Sequence, residues 1–409
     1  MTALSIIVQK FGGTSVANPD ACARVVSRIL EARSGGHDVV AVVSAMGRKP
    51  APYSTDSLIE LAERGGANMS PREQDAIIAC GEIISSVVLV SALAAAGCPA
   101  VSLTGGQAGI ITDDAFGDAR IRKIDPKRIL EALAQGKVAV VAGFQGATES
   151  GDITTLGRGG SDTTAAALGA VLEADVIEIF TDVEGIMTAD PRIVPEARYQ
   201  ETMAYADLLE MANLGAKVVH QRAVEIAMQS RIPLLIRSTF SDARGTLVTD
   251  GASKPGLPVS VPDRFISGVT CLGGMAQVTL AEADFNSTGR VLDVFTTLAD
   301  ECISVDMISV FPERIAFIVA AKQADHAIGA LRGIGLAAQA NLGCAKVSVV
   351  GAGMRGVPGV MSKVVRALHN TGVRILQTSD SHHSISCLVP EADMERAARA
   401  LHAEFELSR

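Results

Sequence analysis

Aromatic side chains are scarce in this 409-residue chain, which has no tryptophan, three tyrosines and an aromatic share of 3 %. Its cores must therefore be assembled from Ala, Val, Ile and Leu, a choice that suits close-packed β-α-β layers. The seven cysteines (Cys22, Cys80, Cys98, Cys271, Cys302, Cys344, Cys387) include no C-x-x-C pair. Such scatter argues against a disulfide framework or a zinc site and fits small buried side chains in a reducing compartment. Basic runs are also missing, and the formal charge is 36 − 45 = −9. That balance argues against nucleic acid as a main partner, although a local pocket can still be positive. No G-x-x-x-x-G-K-[ST] loop occurs, and neither glycine-rich loop fits G-x-G-x-x-G with a later acidic ribose ligand. The opening MTALSIIVQKFGG lacks a basic n-region and a small-residue cleavage site. The uncharged stretch Ile83–Thr112 is broken by Gly97-Cys98-Pro99 and Gly105-Gly106. It reads as a buried helix, a strand and a loop, so a cytoplasmic chain with no membrane span is expected.

Hydrophobic residues make up 48 % and charged residues 20 %, ample for buried cores in two or three units. Over the first ~250 residues, short β-rich runs alternate with amphipathic helical stretches, the signature of an α/β layer fold. Strands are expected at Ser5–Lys10, Val39–Ser44, Ala100–Leu103, Lys137–Gly143, Val176–Thr181 and Pro233–Ser238, with helices such as Asp20–Ser34 and Arg72–Ala96. The apolar runs are continuous, as they must be when helices cover both faces of a sheet. Thr249–Asp263 carries three prolines and two glycines and reads as a linker. Beyond it two segments look like copies of one β-α-β-β-α unit, opened by Gln277-Val-Thr-Leu and by Lys346-Val-Ser-Val-Val. A single such sheet would leave an edge or a face uncovered, and pairing the copies removes the problem. The domains expected are therefore 1–248, a linker at 249–264, then 265–335 and 336–409. His382 and His383, if in a strand, point to opposite faces and cannot share a metal ion.

Three segments carry chemistry. Lys10-Phe-Gly-Gly-Thr-Ser15 follows a strand and precedes a helix. Gly12 and Gly13 let backbone approach a ligand, successive N–H groups can form an anion nest, and Lys10 adds a full positive charge. A tight turn with a solvated lysine is the plain alternative. The second loop, Thr154-Thr-Leu-Gly-Arg-Gly-Gly-Ser-Asp162, runs into a helix with Ser161 and Asp162 near its N-cap and Arg158 as a fork for a carboxylate or phosphate. A capped helix with a surface arginine is its plain reading. Two anion cradles in one α/β domain suggest two anionic groups brought together. Third, Phe180–Arg192 places Thr181 and Asp182 at a strand's carboxyl end, where open α/β sheets bind ligands.

Taken together, KFGGTSV (10–16), VVSAMG (42–47), GE (81–82), GFQG (143–146), TLGRGGSDTTA (155–165), TDVEGIMTADPR (181–192) and GAKVVH (215–220) resemble aspartate kinase of the amino-acid kinase family. The C-terminal copies resemble its paired ACT domains, most clearly at VSVVGAGMRGVPGV (347–360). The resemblance implies a carbamate-kinase-like three-layer α/β sandwich followed by two ferredoxin-like ACT domains. It implies ATP with Mg²⁺ as cofactor and L-aspartate as substrate, with Lys10, Phe11, Gly12, Gly13 and Ser44 at the phosphates. Thr55, Glu82, Arg158, Gly159, Gly160 and Ser161 would bind aspartate, and Asp162 would organise the catalytic centre with Lys10. Thr181, Asp182, Met187, Arg192, Lys217 and Val218 would line the nucleotide pocket, and no metal is held by a dedicated protein site. The insertion Arg48–Tyr53 departs from the family pattern and loosens the alignment of Thr55. ACT pairs imply a homo-oligomer and feedback by an amino acid, with Asp284, Asn286, Ser287, Thr288 and Gly289 as the effector loop. The stretch Gln377-Thr-Ser-Asp-Ser-His382 looks like the branch responding to diaminopimelate, with lysine or threonine as alternatives. A kinase for glutamate, acetylglutamate or a nucleoside monophosphate and a catalytically inactive amino-acid sensor are the rival readings.

Overall fold

The computed structural model describes residues 5–64, 69–216, 218–250, 266–281, 289–354 and 357–408. It divides into two compact units that are not contiguous in sequence. The first holds 1–186, 199–212 and 217–261; the second holds 187–198, 213–216 and 262–409.

In the first unit the chain runs β1 (Ile6–Phe11), α1 (Pro19–Ser34), β2 (Asp38–Val43), α2 (Thr55–Glu63), α3 (Pro71–Ala95) and β3 (Ala100–Leu103). It continues through β4 (Ile110–Thr112), β5 (Ile121–Ile124), α4 (Lys127–Ala134), β6 (Val138–Ala142), β7 (Gln145–Ala147), β8 (Ile153–Thr155) and α5 (Gly160–Val171). Then follow β9 (Val176–Thr181), β10 (Thr202–Met203), α6 (Tyr205–Asn213), α7 (Gln221–Ser230), β11 (Leu234–Ser238) and β12 (Thr246–Val248). The main sheet has the order β10-β12-β11-β9-β1-β2-β6-β3. Its centre is parallel: Phe11 pairs with Val43 on one side and Phe180 on the other. The sheet is not parallel throughout, since β12 runs against β11. A second sheet, β5-β4-β7-β8, was not expected from the sequence; its strands are three or four residues long and too short to show alternation.

Period-two alternation sorts the central strands between two helix layers. Phe11, Val39, Ala41, Val43, Val138 and Val140 form one core with Val25 and Ile29 of α1 and Leu89 and Leu93 of α3. On the other face lies α5, whose run of small residues lets it sit close: a Cβ on Gly169 would fall 2.5 Å from the Ile177 side chain. Local signals start the helices on the first face. Asn18 Oδ1 accepts from Ala21 N–H at 2.9 Å, and Pro19 and Pro71 stand in the first turns of α1 and α3. Helix α3 is long and apolar enough to span a bilayer by length and composition. Its face toward the sheet nevertheless buries Asp75 and Glu82, and Leu89 and Leu93 on that side belong to the core, so it is packed as a core helix.

In the second unit the order is β13 (Gly268–Ala281), α8 (Arg290–Asp300), β14 (Asp306–Phe311), β15 (Arg314–Ala320), α9 (Ala324–Gly333), β16 (Ala338–Val350), α10 (Val360–Asn370), β17 (Gln377–Asp380), β18 (Ser384–Pro390) and α11 (Met394–Glu404). One six-stranded sheet, β14-β15-β13-β16-β18-β17, joins the two copies. Its two long middle strands are shared. Residues Met275–Ala281 pair with β15 and with the start of β16, whereas Gly268–Leu272 pair with Lys346–Val350 past a bulge. Each copy thus owns four strands, one of them lent by a strand that begins or ends in the other. Helices α8 and α9 cover Val278, Leu280 and Phe317; α10 and α11 cover Val347, Val349 and Cys387. Residues Ala189, Val194 and Ala197 join this second core. They are anchored there by Val269 N–H to Thr188 O at 2.8 Å and by Thr188 Oγ1 to His402 Nε2 at 2.9 Å. His382 and His383 lie in the turn between β17 and β18 and not in a strand, so the opposite-face argument does not apply. Among the described residues no group of three His, Cys, Asp or Glu could hold a metal.

Candidate active site

The alternation that sends Gln9 and Phe11 toward α1 sends Lys10 toward α5. Gln9 Nε2 donates to the Arg28 carbonyl and to Glu178 Oε2, and the Phe11 ring stacks on Phe180 at 4.8 Å. Lys10 Nζ comes within 2.7 Å of Asp162 Oδ1 in the first turn of α5, both side chains little exposed. The other oxygen, Asp162 Oδ2, accepts from the His220 backbone N–H at 3.2 Å. One ion pair therefore ties the first glycine-rich loop to the second, at the carboxyl ends of β1, β2, β6 and β9. A cleft of about 290 Å³ opens there, lined by Lys10, Gly12, Gly13, Ser44, Thr55, Thr181 and Asp182 among others. Thr55 reaches it as the first residue of α2, behind the Ser54 cap. The first-loop nest is smaller than expected, because Gly12 N–H donates to the Phe180 carbonyl at 3.3 Å. Gly13 is required by space: a Cβ would meet the carbonyls of Ala45 and Gly47 at 2.7 and 2.9 Å.

In the second loop Gly159 stands at φ 70° as N-cap of α5, with no side-chain cap. The twelve-residue helix leaves its first N–H groups facing outward, with the positive end of its dipole. Gly159 is also covered, since a Cβ there would lie 2.2 Å from the His220 ring. Arg158 next to it is exposed, while Ser161 is buried, and the close approach of Gly143 leaves a Cβ there only 2.9 Å from Ser161 Oγ.

Helix α3 adds a buried carboxylate to the site. Glu82 is 2 % exposed and its Oε1 accepts from the backbone N–H of Ala45, a cleft residue, at 3.0 Å. Its Oε2 is sealed from solvent and has no hydrogen-bond partner among the described residues. Burial pushes the Glu82 carboxyl up to about 8, against the pull of its N–H bonds.

The remaining expected residues distribute differently. Met187 packs against the core of the second unit, and Arg192 is exposed and folds back on Asp190 at 2.6 Å. Val218 is half-buried just before α7. Lys217 and the effector-loop residues Asp284, Asn286, Ser287 and Thr288 lie outside the described residues, as does nearly all of the linker; Gly289 caps α8 at φ 68°.

The family model for the amino acid kinase family matches residues 5–238, and an ACT-domain model matches 339–403. Aspartokinase 1 of Bacillus subtilis is 48 % identical over 407 residues, covering 99 % of this chain and 100 % of that protein. The aspartokinase of Mycolicibacterium smegmatis is 39 % identical over 99 % of this chain and 97 % of its own length. Among solved structures, E. coli aspartokinase III in complex with aspartate and ADP superposes with a TM-score of 0.79 at 28 % identity, covering 98 % of this chain and 99 % of that one. This chain belongs to the aspartokinases of the amino acid kinase family. The three-layer α/β fold followed by an ACT region is accordingly the fold of that family.

Within an aspartokinase frame, three groups stand out that the motifs alone did not single out. Asp75 sits two turns before Glu82 on the same face of α3 and accepts from Gly117 N–H, Thr155 N–H and Thr155 Oγ1 at 3.0, 2.7 and 2.8 Å. It pins the strand that leads into the second loop. The sequence signal was available: acids seven apart share a helix face, and Glu82 is the one charged residue of α3 after Asp75. His220, at the end of the GAKVVH motif, holds Asp162 and covers Gly159. Arg48, first residue of the insertion, pairs with Asp182 at 3.1 Å beside the cleft. A nucleotide-borne Mg²⁺ bound through phosphate oxygens asks for only one or two protein carboxylates. Asp162 and Asp182 are the candidates that this donor set provides.

Proposed function

We infer that the protein transfers the γ-phosphate of ATP to the side-chain carboxylate of L-aspartate, giving 4-phospho-L-aspartate and ADP. The observation that carries this reading is the Lys10–Asp162 ion pair, which makes one centre of two anion-binding loops. An aspartate carboxylate is ionised at neutral pH, so no general base is needed. An oxygen of that carboxylate forms the new bond to phosphorus as the bond to the ADP oxygen breaks, and no proton has to move. The obstacle is repulsion between two anions, which positioning and charge neutralisation must overcome. Lys10, oriented by Asp162, offsets phosphate charge. Arg158 holds the α-carboxylate and Glu82 the α-ammonium, leaving the β-carboxylate free to attack. Mg²⁺ supplies further neutralisation of the triphosphate when bound. Deprotonating a carboxylate is unnecessary, so Asp162 serves as the orienting partner of Lys10.

The sequence through residue 248 is the catalytic part and the two copies beyond 265 the regulatory part, bound by an amino-acid effector and pairing chains into a homo-oligomer. E. coli aspartokinase III has been solved with lysine and aspartate; for this chain diaminopimelate, lysine and threonine are the effectors to test. A small anionic substrate and nucleotide suit a cytoplasmic enzyme. ATP-dependent hydroxamate formation tests the reading. Product with aspartate, and none with glutamate, acetylglutamate or a nucleoside monophosphate, is the expected result. Product with none of them would leave the inactive-sensor reading standing.

A further inference from the structure

We propose that Glu82 takes the substrate's α-ammonium in exchange for a proton, so that each aspartate entering the site releases about one proton to solvent. The proposal deepens the aspartate reading and rests on it.

The geometry points to an incomplete site. Glu82 is sealed by its surroundings, its Oε1 accepts from Ala45 N–H, and among the described residues its Oε2 has no partner at hydrogen-bond distance. Gly81, the residue before it, packs against Ala45 from the loop after β2, Leu58 from α2 and the Tyr53 carbonyl. Among the described residues no charged side chain acts on Glu82. The other acid on this face, Asp75, has its own three donors. Arg72, the cation of α3 itself, is paired with Asp152, and Arg48 and Lys49, which follow Ala45, are exposed and paired with Asp182 and Glu60. An ionised carboxylate so placed is costly, and the group stays protonated instead. Burial thus pushes its carboxyl up to about 8.

An ammonium group arriving at Oε2 removes both deficits, bringing the missing donors and the counter-charge. The balance is simple: the protonated Glu82 and the substrate ammonium become a carboxylate–ammonium pair, and one proton leaves. Discrimination follows from the same exchange. A dicarboxylate without an ammonium group, such as succinate, cannot take the proton's place and has to bind against a neutral Glu82.

Calorimetric titration of the full-length protein with aspartate near pH 7, in buffers of different ionisation enthalpy, reads the exchange directly. Release of close to one proton per aspartate is expected, with apparent affinity tightening by up to about tenfold per pH unit until near pH 8 and then levelling. Succinate should bind weakly and release none. In Glu82→Gln, which mimics the protonated form, the release should vanish and the pH dependence flatten. Aspartate binding with no proton exchange by the wild-type protein, or release persisting in Glu82→Gln, overturns the proposal while leaving the aspartate site in place. No aspartate binding at all would instead overturn the reading of the site, and the proposal with it.

Discussion

Asp75 and Glu82 lie two turns apart on one face of the same apolar helix, 1 % and 2 % exposed, and their chemistry is opposite. Asp75 has three donors on two oxygens and holds the approach to the second loop in place. Among the described residues Glu82 finds the Ala45 N–H for one oxygen and no partner for the other. A buried acid whose oxygens are saturated has its charge satisfied by the fold and acts on structure. One left half-satisfied beside a cleft has capacity kept for something not part of the chain.

Removing each acid should separate these roles. Asp75→Ala leaves the two buried Thr155 donors without an acceptor, and frees the more exposed Gly117 N–H, and should lower stability by about 4 kcal/mol in urea unfolding; a loss under about 1 kcal/mol would erase the contrast. Glu82→Ala should raise the KM for aspartate by about 100-fold, some 3 kcal/mol, with the unfolding midpoint kept. Collapse of the fold with unchanged KM would reverse the assignment. The pH dependence sharpens the comparison further. Because the Glu82 pKa is raised in the folded state, the folded protein binds the extra proton between the unfolded value and about 8. Its stabilising contribution is complete below the unfolded pKa and is lost as pH rises through that window. The ligand-free protein should therefore lose on the order of 2 kcal/mol between pH 6 and pH 8 that Glu82→Gln does not lose; parallel profiles would contradict it. Arg158, exposed in the loop before α5, should matter least: Arg158→Ala is expected to raise the KM for aspartate about tenfold with little change in stability.

Much of this was legible in the chain. Val176–Thr181 and Ala100–Leu103 form strands with the expected bounds, and α1 and α3 begin one residue before the expected positions because prolines open them. The cleft residues Lys10, Ser44, Thr55, Thr181 and Asp182 came from motif order, and the structure gathers them at one place. What was not legible has physical reasons. The second sheet uses strands too short to carry a period. The lengths of β13 and β16 were hidden because Gly273-Gly274 breaks the alternation at the bulge. No local pattern reveals that Gly12 spends its N–H on Phe180, or that residues 187–198 leave the first unit to bury Ala189 and Val194 in the second core. Those are consequences of tertiary packing, which residue spacing does not encode.

The account rests on Lys10 and Asp162 acting as one unit that joins the two loops. A double-mutant cycle on hydroxamate formation, with Lys10→Met, Asp162→Asn and the pair, tests it most directly. Lys10→Met is expected to lower kcat by about 10³, Asp162→Asn by somewhat less, and the double variant no further than the worse single one. Losses that multiply would show two independent groups and contradict a shared centre.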